Sequence, residues 1–417
     1  LKFLRDLKLK NLFIYGIGQA VNVVSPLLVV PFLVMQCGEA NLGRIGIGFA
    51  FAMIAIVLVD GGSYINGTRE IAVNSSDANQ LGRQFTTVYV AKLLLLAAVI
   101  LVSIGIIFSI PFFRRDWFQL CLSLSIVAGQ AINPTWFFQG VQSFKWITVV
   151  NILSKVIYVG GVFWIVNEPS DYVYVNLLWG IGMIFSGLLG VFAIASKYGW
   201  RWSPRQIKES GLLVMREFPL TVSQLFFSVY QYIPVVLVGF FGGDFMAGQY
   251  RIIEQIVMVF RTYLQTFFNF IYPQVCSSIY EDEVRGTIQW RRVNLAGYAS
   301  VVLMLAVFFW QSEAILHFFK VSDNLQEMQH YFRIALILPL VMGFTFSLRQ
   351  LVFAFNRERI YIQITIAATL LLVILLAIAA SVYGLTAVFA SLIGVEVLIA
   401  LAYSVILADK LRRVSAR

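Results

Sequence analysis

Residues 85–112 read FTTVYVAKLLLLAAVILVSIGIIFSIPF, twenty-eight residues that carry a single charge, Lys92. About 20 consecutive apolar residues suffice for a helix to cross the hydrocarbon core of a bilayer. This run is long enough to span. Outward from it the pattern repeats to the end of the chain, with further apolar runs at 12–35, 45–66, 117–137, 146–166, 173–196, 219–241, 250–274, 294–316, 331–354, 361–382 and 384–408. The composition agrees: 59% of the 417 residues are hydrophobic and only 12% charged, with a mean hydropathy of +0.82. Soluble domains carry about 25% charged residues. The expected class is an all-α polytopic membrane protein of about twelve spans with no sizeable soluble domain. The basic start (Lys2, Arg5, Lys8, Lys10) leads into a span too long for a cleavable signal, so that segment is expected to stay.

The net charge of +10 is a topology signal. With the N-terminus placed inside, the inner loops and tails hold 21 Lys and Arg, against four in the outer loops: Arg44, Arg114, Arg115 and Lys320. That asymmetry puts both termini in the cytoplasm. It also removes any need for a nucleic-acid partner.

A shift of 205 residues lays the start of the chain on its middle: Gln19 on Gln224, Gly38-Glu39 on Gly243-Asp244, Gly43 on Gly248, Pro134 on Pro339. The expected organisation is two lobes, 1–204 and 205–417, of six spans each, with the basic stretch 197–217 as linker. An even number of spans per repeat leaves both halves in one orientation, with a transport path between them.

Four cations lie more than one turn inside the spans: Lys92, Lys155, Arg261 and Arg349. Each costs roughly 2.5–3.5 kcal/mol at the centre of a membrane helix, so each needs a reason to be there. A cavity that receives anionic cargo is one such reason. Lys155 and Arg261 lie near mid-depth; Lys92 and Arg349 lie nearer the ends of their spans, where snorkelling to the headgroups is an equal alternative. Asp60, Glu254 and Glu396 are also at membrane depth. Helical periodicity groups polar residues on single faces: Tyr15, Gln19, Asn22 and Pro26; Asn151, Lys155 and Tyr158; Gln224, Ser228 and Gln231; and a broad stripe from Arg251 and Glu254 through Gln255, Arg261, Thr262 and Gln265 to Asn269. Gln19, Asn22, Asn151, Gln224, Gln231 and Gln265 are the candidate polar cavity positions. The competing reading is hydrogen bonding between packed helices, worth about 0.6 kcal/mol each. Prolines inside the first and seventh spans (Pro26, Pro31, Pro219, Pro234) are expected to kink them.

No nucleotide-binding glycine loop is present. His317 and His330 lie far from any cysteine, and Cys37, Cys121 and Cys276 lack metal spacing, so no metal, cofactor or covalent catalysis is expected. The chain is read as a transporter and not an enzyme.

The stretch Asn133-Pro134-Thr135-Trp136-Phe137-Phe138-Gln139-Gly140, followed by Lys145-Trp146, resembles the Pro-x-Trp-Phe-Phe-Gln-Gly signature of Wzx-type polysaccharide flippases of the MOP superfamily. Pro31-Phe32-Leu33 with Gly38 and Gly43, Asp60-Gly61-Gly62 followed by Thr68-Arg69-Glu70-Ile71-Ala72, and Ile271-Tyr272-Pro273 fit the same family in order. The resemblance implies two six-helix bundles in a V shape. It implies an undecaprenyl-pyrophosphate-linked oligosaccharide as cargo, such as an O-antigen repeat unit, moved from the cytoplasmic to the periplasmic leaflet of the bacterial inner membrane. Membrane lipids, a polysaccharide polymerase and a chain-length regulator are the implied partners. Proton or sodium coupling in some relatives makes Asp60, Glu254 and Glu396 titratable candidates. Three alternatives stay open: a MATE-like small-molecule antiporter, which would want acidic groups in its cavity; a lipid II or teichoic-acid type flippase, the former usually with two further spans; and a membrane-embedded glycosyltransferase or polymerase, which would want a large outer loop.

Overall fold

A computed structural model of the chain describes residues 2–74, 77–200, 202–321 and 324–415; the side chains of residues 2–15, 17, 19, 65 and 409–415 lie outside the described set. Among the described residues there is no strand. The helices run α1 Lys2–Asp60, α2 Thr68–Val73, α3 Ala78–Ser109, α4 Pro111–Arg115, α5 Trp117–Ile132, α6 Thr135–Gly140, α7 Phe144–Ile165 and α8 Val175–Tyr198. Then follow α9 Arg205–Glu281, α10 Glu283–Trp310, α11 Ser312–Phe318, α12 Leu325–Ala335, α13 Ile337–Ala354, α14 Glu358–Ile378 and α15 Gly384–Ser415. Five-residue π-turns stand at Ser63–Gly67 and Ala379–Tyr383.

Among the described residues, eight helical stretches are long and apolar enough to cross a membrane. Three of them are broken, at Gly38, Gly243 and Gly384, so each supplies two spans. α5, continued by α6, supplies one more, which returns the twelve spans expected. Only 22–61% of each stretch's apolar window is buried within the chain, and the remainder faces outward as Leu, Val and Phe. Water would not tolerate that surface; lipid does. Trp164 and Trp310, both more than 80% exposed, end α7 and α10, where an interfacial aromatic belt is expected. The chain is an all-α multi-pass membrane protein.

The internal repeat is written in the backbone. Gly38 has φ 80°, ψ 166° and Gly243 has φ 86°, ψ 172°, the same break at positions 205 residues apart. An added Cβ at either would meet nothing within 4 Å, so the backbone angle alone demands glycine there. Helical angles continue through Pro26, Pro31, Pro219 and Pro234, so the breaks lie at the glycines and not at the prolines. The match of Pro134 to Pro339 fails in detail. Pro134 caps the six-residue α6, whereas Pro339 is the third residue of the eighteen-residue α13. The equivalent positions are Gln142 (φ 55°) and Asn356 (φ 56°), each one residue past its helix's C-cap, closed by Ser143 N donating to Phe138 O at 2.8 Å and Arg357 N to Val352 O at 2.9 Å.

The chain divides into two compact units, Leu1–Val236 and Leu237–Arg417. In the first, α8 packs on α5 and α7 through glycines. A Cβ at Gly182 would lie 2.4 Å from Ser154 O, and one at Gly180 would lie 2.1 Å from Ser125 Oγ. This backbone-to-backbone approach is how membrane helices gain contact without a hydrophobic driving force. Asn176 ties the same bundle, donating to Ile45 O at 3.0 Å and Ser123 Oγ at 2.9 Å. In the second unit α13 packs on α15 and α10. Asn294 donates to Gln350 Oε1 and accepts from Ser347 Oγ, both at 2.9 Å, and Trp290 Nε1 donates to Ser347 O at 3.1 Å.

Candidate functional site

The four intramembrane cations fall into three different environments. Lys92 on α3 is 2% exposed, and its ammonium lies 2.9 Å from Asp60 Oδ1 at the end of α1. Gln130 of α5 donates to the other carboxylate oxygen at 3.0 Å. Lys92 therefore does not snorkel, and its charge is already neutralised: three helices meet on one carboxylate.

Lys155 on α7 is 8% exposed and makes no ion pair or hydrogen bond among the described residues. Its ammonium stands 3.2 Å from the centroid of the Trp179 ring on α8. Tyr158, one turn along α7, tilts against the same ring at 4.7 Å, and Phe49 meets it edge-on at 5.1 Å. The close α7–α8 crossing at Gly182 and Ser154 brings lysine and ring together. A desolvated cation–π contact is worth about 2 kcal/mol, whereas burying an ammonium costs several. The aromatic face only partly offsets the burial.

Arg349 on α13 is 9% exposed, lying between Phe346 at 4.1 Å and Phe268 at 5.0 Å. It donates through Nη2 to Gln265 Oε1 of α9 at 3.1 Å, and its buried Nε has no partner among the described residues. It too is inside rather than at a headgroup. Half of its planar fork is filled by a neutral amide, where a carboxylate or phosphate would fill both positions. Arg261, half-buried on α9, stands one turn before Gln265 and makes no ion pair or hydrogen bond among the described residues.

The acids are not a cluster. Asp60 is held by Lys92 and Gln130, and Glu254 pairs with Arg251 at 2.6 Å rather than with Arg261 two turns away. Glu396 is buried on α15. Of the polar positions, Asn22, Asn151, Gln224 and Gln231 are half-buried on α1, α7 and α9, and Gln265 meets Arg349. The Gln19 side chain lies outside the described residues.

Sequence reasoning missed two groups. Trp179 reads as one more aromatic in an apolar span; only the α7–α8 packing shows that it receives Lys155. Glu217 was placed in a linker, yet it is 2% exposed near the start of α9, accepting from Asn66 Nδ2 and, at 3.0 Å, from Arg216 Nε. The signal available was a carboxylate directly before an apolar run, at Glu217-Phe218-Pro219.

Comparison with known proteins gives a family and a fold. Residues 8–278 match the family model described as "Polysaccharide biosynthesis protein". A protein of Escherichia coli (strain K12) named "Putative O-antigen transporter" is 24% identical over 305 residues, covering 71% of this chain and 72% of that protein. Among solved structures, "Lipid II flippase MurJ, inward closed conformation" matches with TM-score 0.72 at 13% identity, over 97% of this chain and 90% of that one. An inward-facing multidrug resistance MATE family transporter of the MOP superfamily matches with TM-score 0.63 at 14% identity, over 94% and 98%. At such identities these two matches speak for the fold.

Proposed function

The chain belongs to the polysaccharide biosynthesis protein family, and from that premise we propose that it is a flippase for polysaccharide repeat units carried on undecaprenyl pyrophosphate. It moves them from the cytoplasmic to the periplasmic leaflet of a bacterial inner membrane, with both termini in the cytoplasm, by exposing the cargo site alternately to the two sides. The chain acts as a transporter and not as an enzyme. It works beside a polymerase and a chain-length regulator that receive the cargo. Two duplicated lobes, 1–204 and 205–417, are the proposed functional halves.

One observation carries this reading: Lys155 and Arg349 are buried cations held by aromatic rings and an amide, with no carboxylate partner among the described residues. Arg261 is the third cation proposed to meet the cargo. Pyrophosphate, or an acidic sugar, supplies the missing negative charge. Lys92 is assigned a structural part, because Asp60 already answers its charge. A coupling role for Asp60 or Glu254 would require its ion pair to open.

The test is a strain lacking this chain. It should accumulate lipid-linked oligosaccharide at the cytoplasmic leaflet, and the wild-type chain should clear it. Lys155→Ala and Arg349→Ala should insert normally and leave the intermediate trapped. Full clearance by both variants would overturn the assignment.

A further inference from the structure

The two motifs Asp60-Gly61-Gly62…Ala72 and Asn133…Gly140 carry no cargo chemistry, yet the fold brings them together. Thr68 Oγ1 donates to Trp136 O at 3.0 Å. A Cβ at Gly140 would lie 2.6 Å from the Ile71 side chain, and one at Gly67 would lie 3.1 Å from the Trp136 ring. Trp136 and Phe137 are buried behind this contact with Phe85. The signature segment is thus a seat for residues 61–73.

Those residues are hinged at one end and held at the other. Asp60 is pinned by Lys92 and Gln130. Directly after it come Gly61 and Gly62 with φ of 51° and 76°, then a five-residue π-turn. Beyond the turn, Asn66 donates to Glu217 Oε2, and Glu70 pairs at 2.6 Å with Arg216, which also holds Glu217. A Cβ on Gly62 would lie 2.9 Å from that same carboxylate oxygen. Apolar contacts and the Thr68 hydrogen bond seat the strap on α6; polar contacts fasten it to α9. The exposed Glu70–Arg216 pair regains water when it parts, and the buried Glu217 keeps Arg216 as its partner when Asn66 leaves.

We propose that residues 61–73 form a hinged strap, closed in this structure, whose Asn66–Glu217 and Glu70–Arg216 latch on α9 must release during the working cycle. The consequence for cargo rests on the transport function proposed above; the strap itself does not. The experiment uses a chain with Cys37, Cys121 and Cys276 replaced by serine. In Asn66→Cys/Glu217→Cys, oxidation should form a cross-link and lower polysaccharide export at least tenfold, with recovery on reduction. Failure to cross-link, or export unchanged by it, overturns the strap. Independently of export, in Glu217→Cys the added Asn66→Ala should raise maleimide labelling of the new thiol at least fivefold; an unchanged rate also overturns it. Cross-linking and faster labelling in a chain that exports nothing even when reduced would sink the transport reading and support the strap.

Discussion

Replacing Lys92 by methionine should destabilise the first unit, and the structure sets the size of the loss. Lys92 Nζ and Asp60 Oδ1 are 2.9 Å apart, with the two side chains 3% and 16% exposed. At an effective dielectric of about 20, that separation is worth roughly 5–6 kcal/mol. Desolvating the two ions costs several kcal/mol each, so the pair as a whole is close to neutral for stability. Removing one partner is a different matter, because Asp60 is left buried with Gln130 as its one donor in the cluster. Breaking a buried pair in this way costs about 3–5 kcal/mol; the residual exposure of Asp60 and the Gln130 bond place the expectation near 3. Lys92→Met/Asp60→Asn removes both charges and should return to within about 1 kcal/mol of the wild type. The assay is thermal unfolding in a mild detergent, ranking the two single variants and the double variant at equal protein concentration. A single variant as stable as the wild type, or a double variant no better than the worse single, would refute the claim that this pair is a structural pin.

Lys155→Met should behave oppositely, raising stability by roughly 1–3 kcal/mol because the burial cost exceeds the cation–π gain, while export is lost; a loss of stability in the same unfolding assay would count against an unsatisfied cation. Gly243→Ala should cost about 1–3 kcal/mol although no atom crowds the new methyl, since only glycine adopts φ 86°, ψ 172° without strain; a neutral result would mean that the break is not fixed. Arg349→Lys keeps the charge and loses the fork, so export measured as surface polysaccharide should fall severalfold rather than vanish; wild-type output would show that point charge is enough.

The reading from sequence went as far as its physics allows. Span number and class were legible because hydropathy over about 20 residues is a property of the segment alone. Gly38 and Gly243 were legible as a repeat because an angle only glycine adopts leaves a mark at one position. Pro134 and Pro339 left a false one, since proline is tolerated at several places near a helix start. The intramembrane cations could be located but not sorted. Lys92 and Lys155 look alike in sequence, and what separates them is a carboxylate 32 residues away on another helix in one case and an indole in the other. Glu217 was hidden for a related reason. A basic stretch reads as a loop, whereas α9 begins at Arg205 and carries that carboxylate into the bundle. Tertiary pairing, not local propensity, decides these cases.

The central claim is that buried, acid-free cations receive an anionic cargo. It is tested most directly by reconstituting the chain in proteoliposomes and measuring how fast an undecaprenyl-pyrophosphate-linked oligosaccharide reaches the opposite leaflet, alongside a neutral polyprenyl glycoside of the same sugars. The account predicts translocation of the pyrophosphate-linked cargo by the wild type, at least tenfold slower movement in Lys155→Ala and Arg349→Ala, and little movement of the neutral analogue in any of them. Equal rates for charged and neutral cargo, or equal rates in wild type and variants, would contradict it.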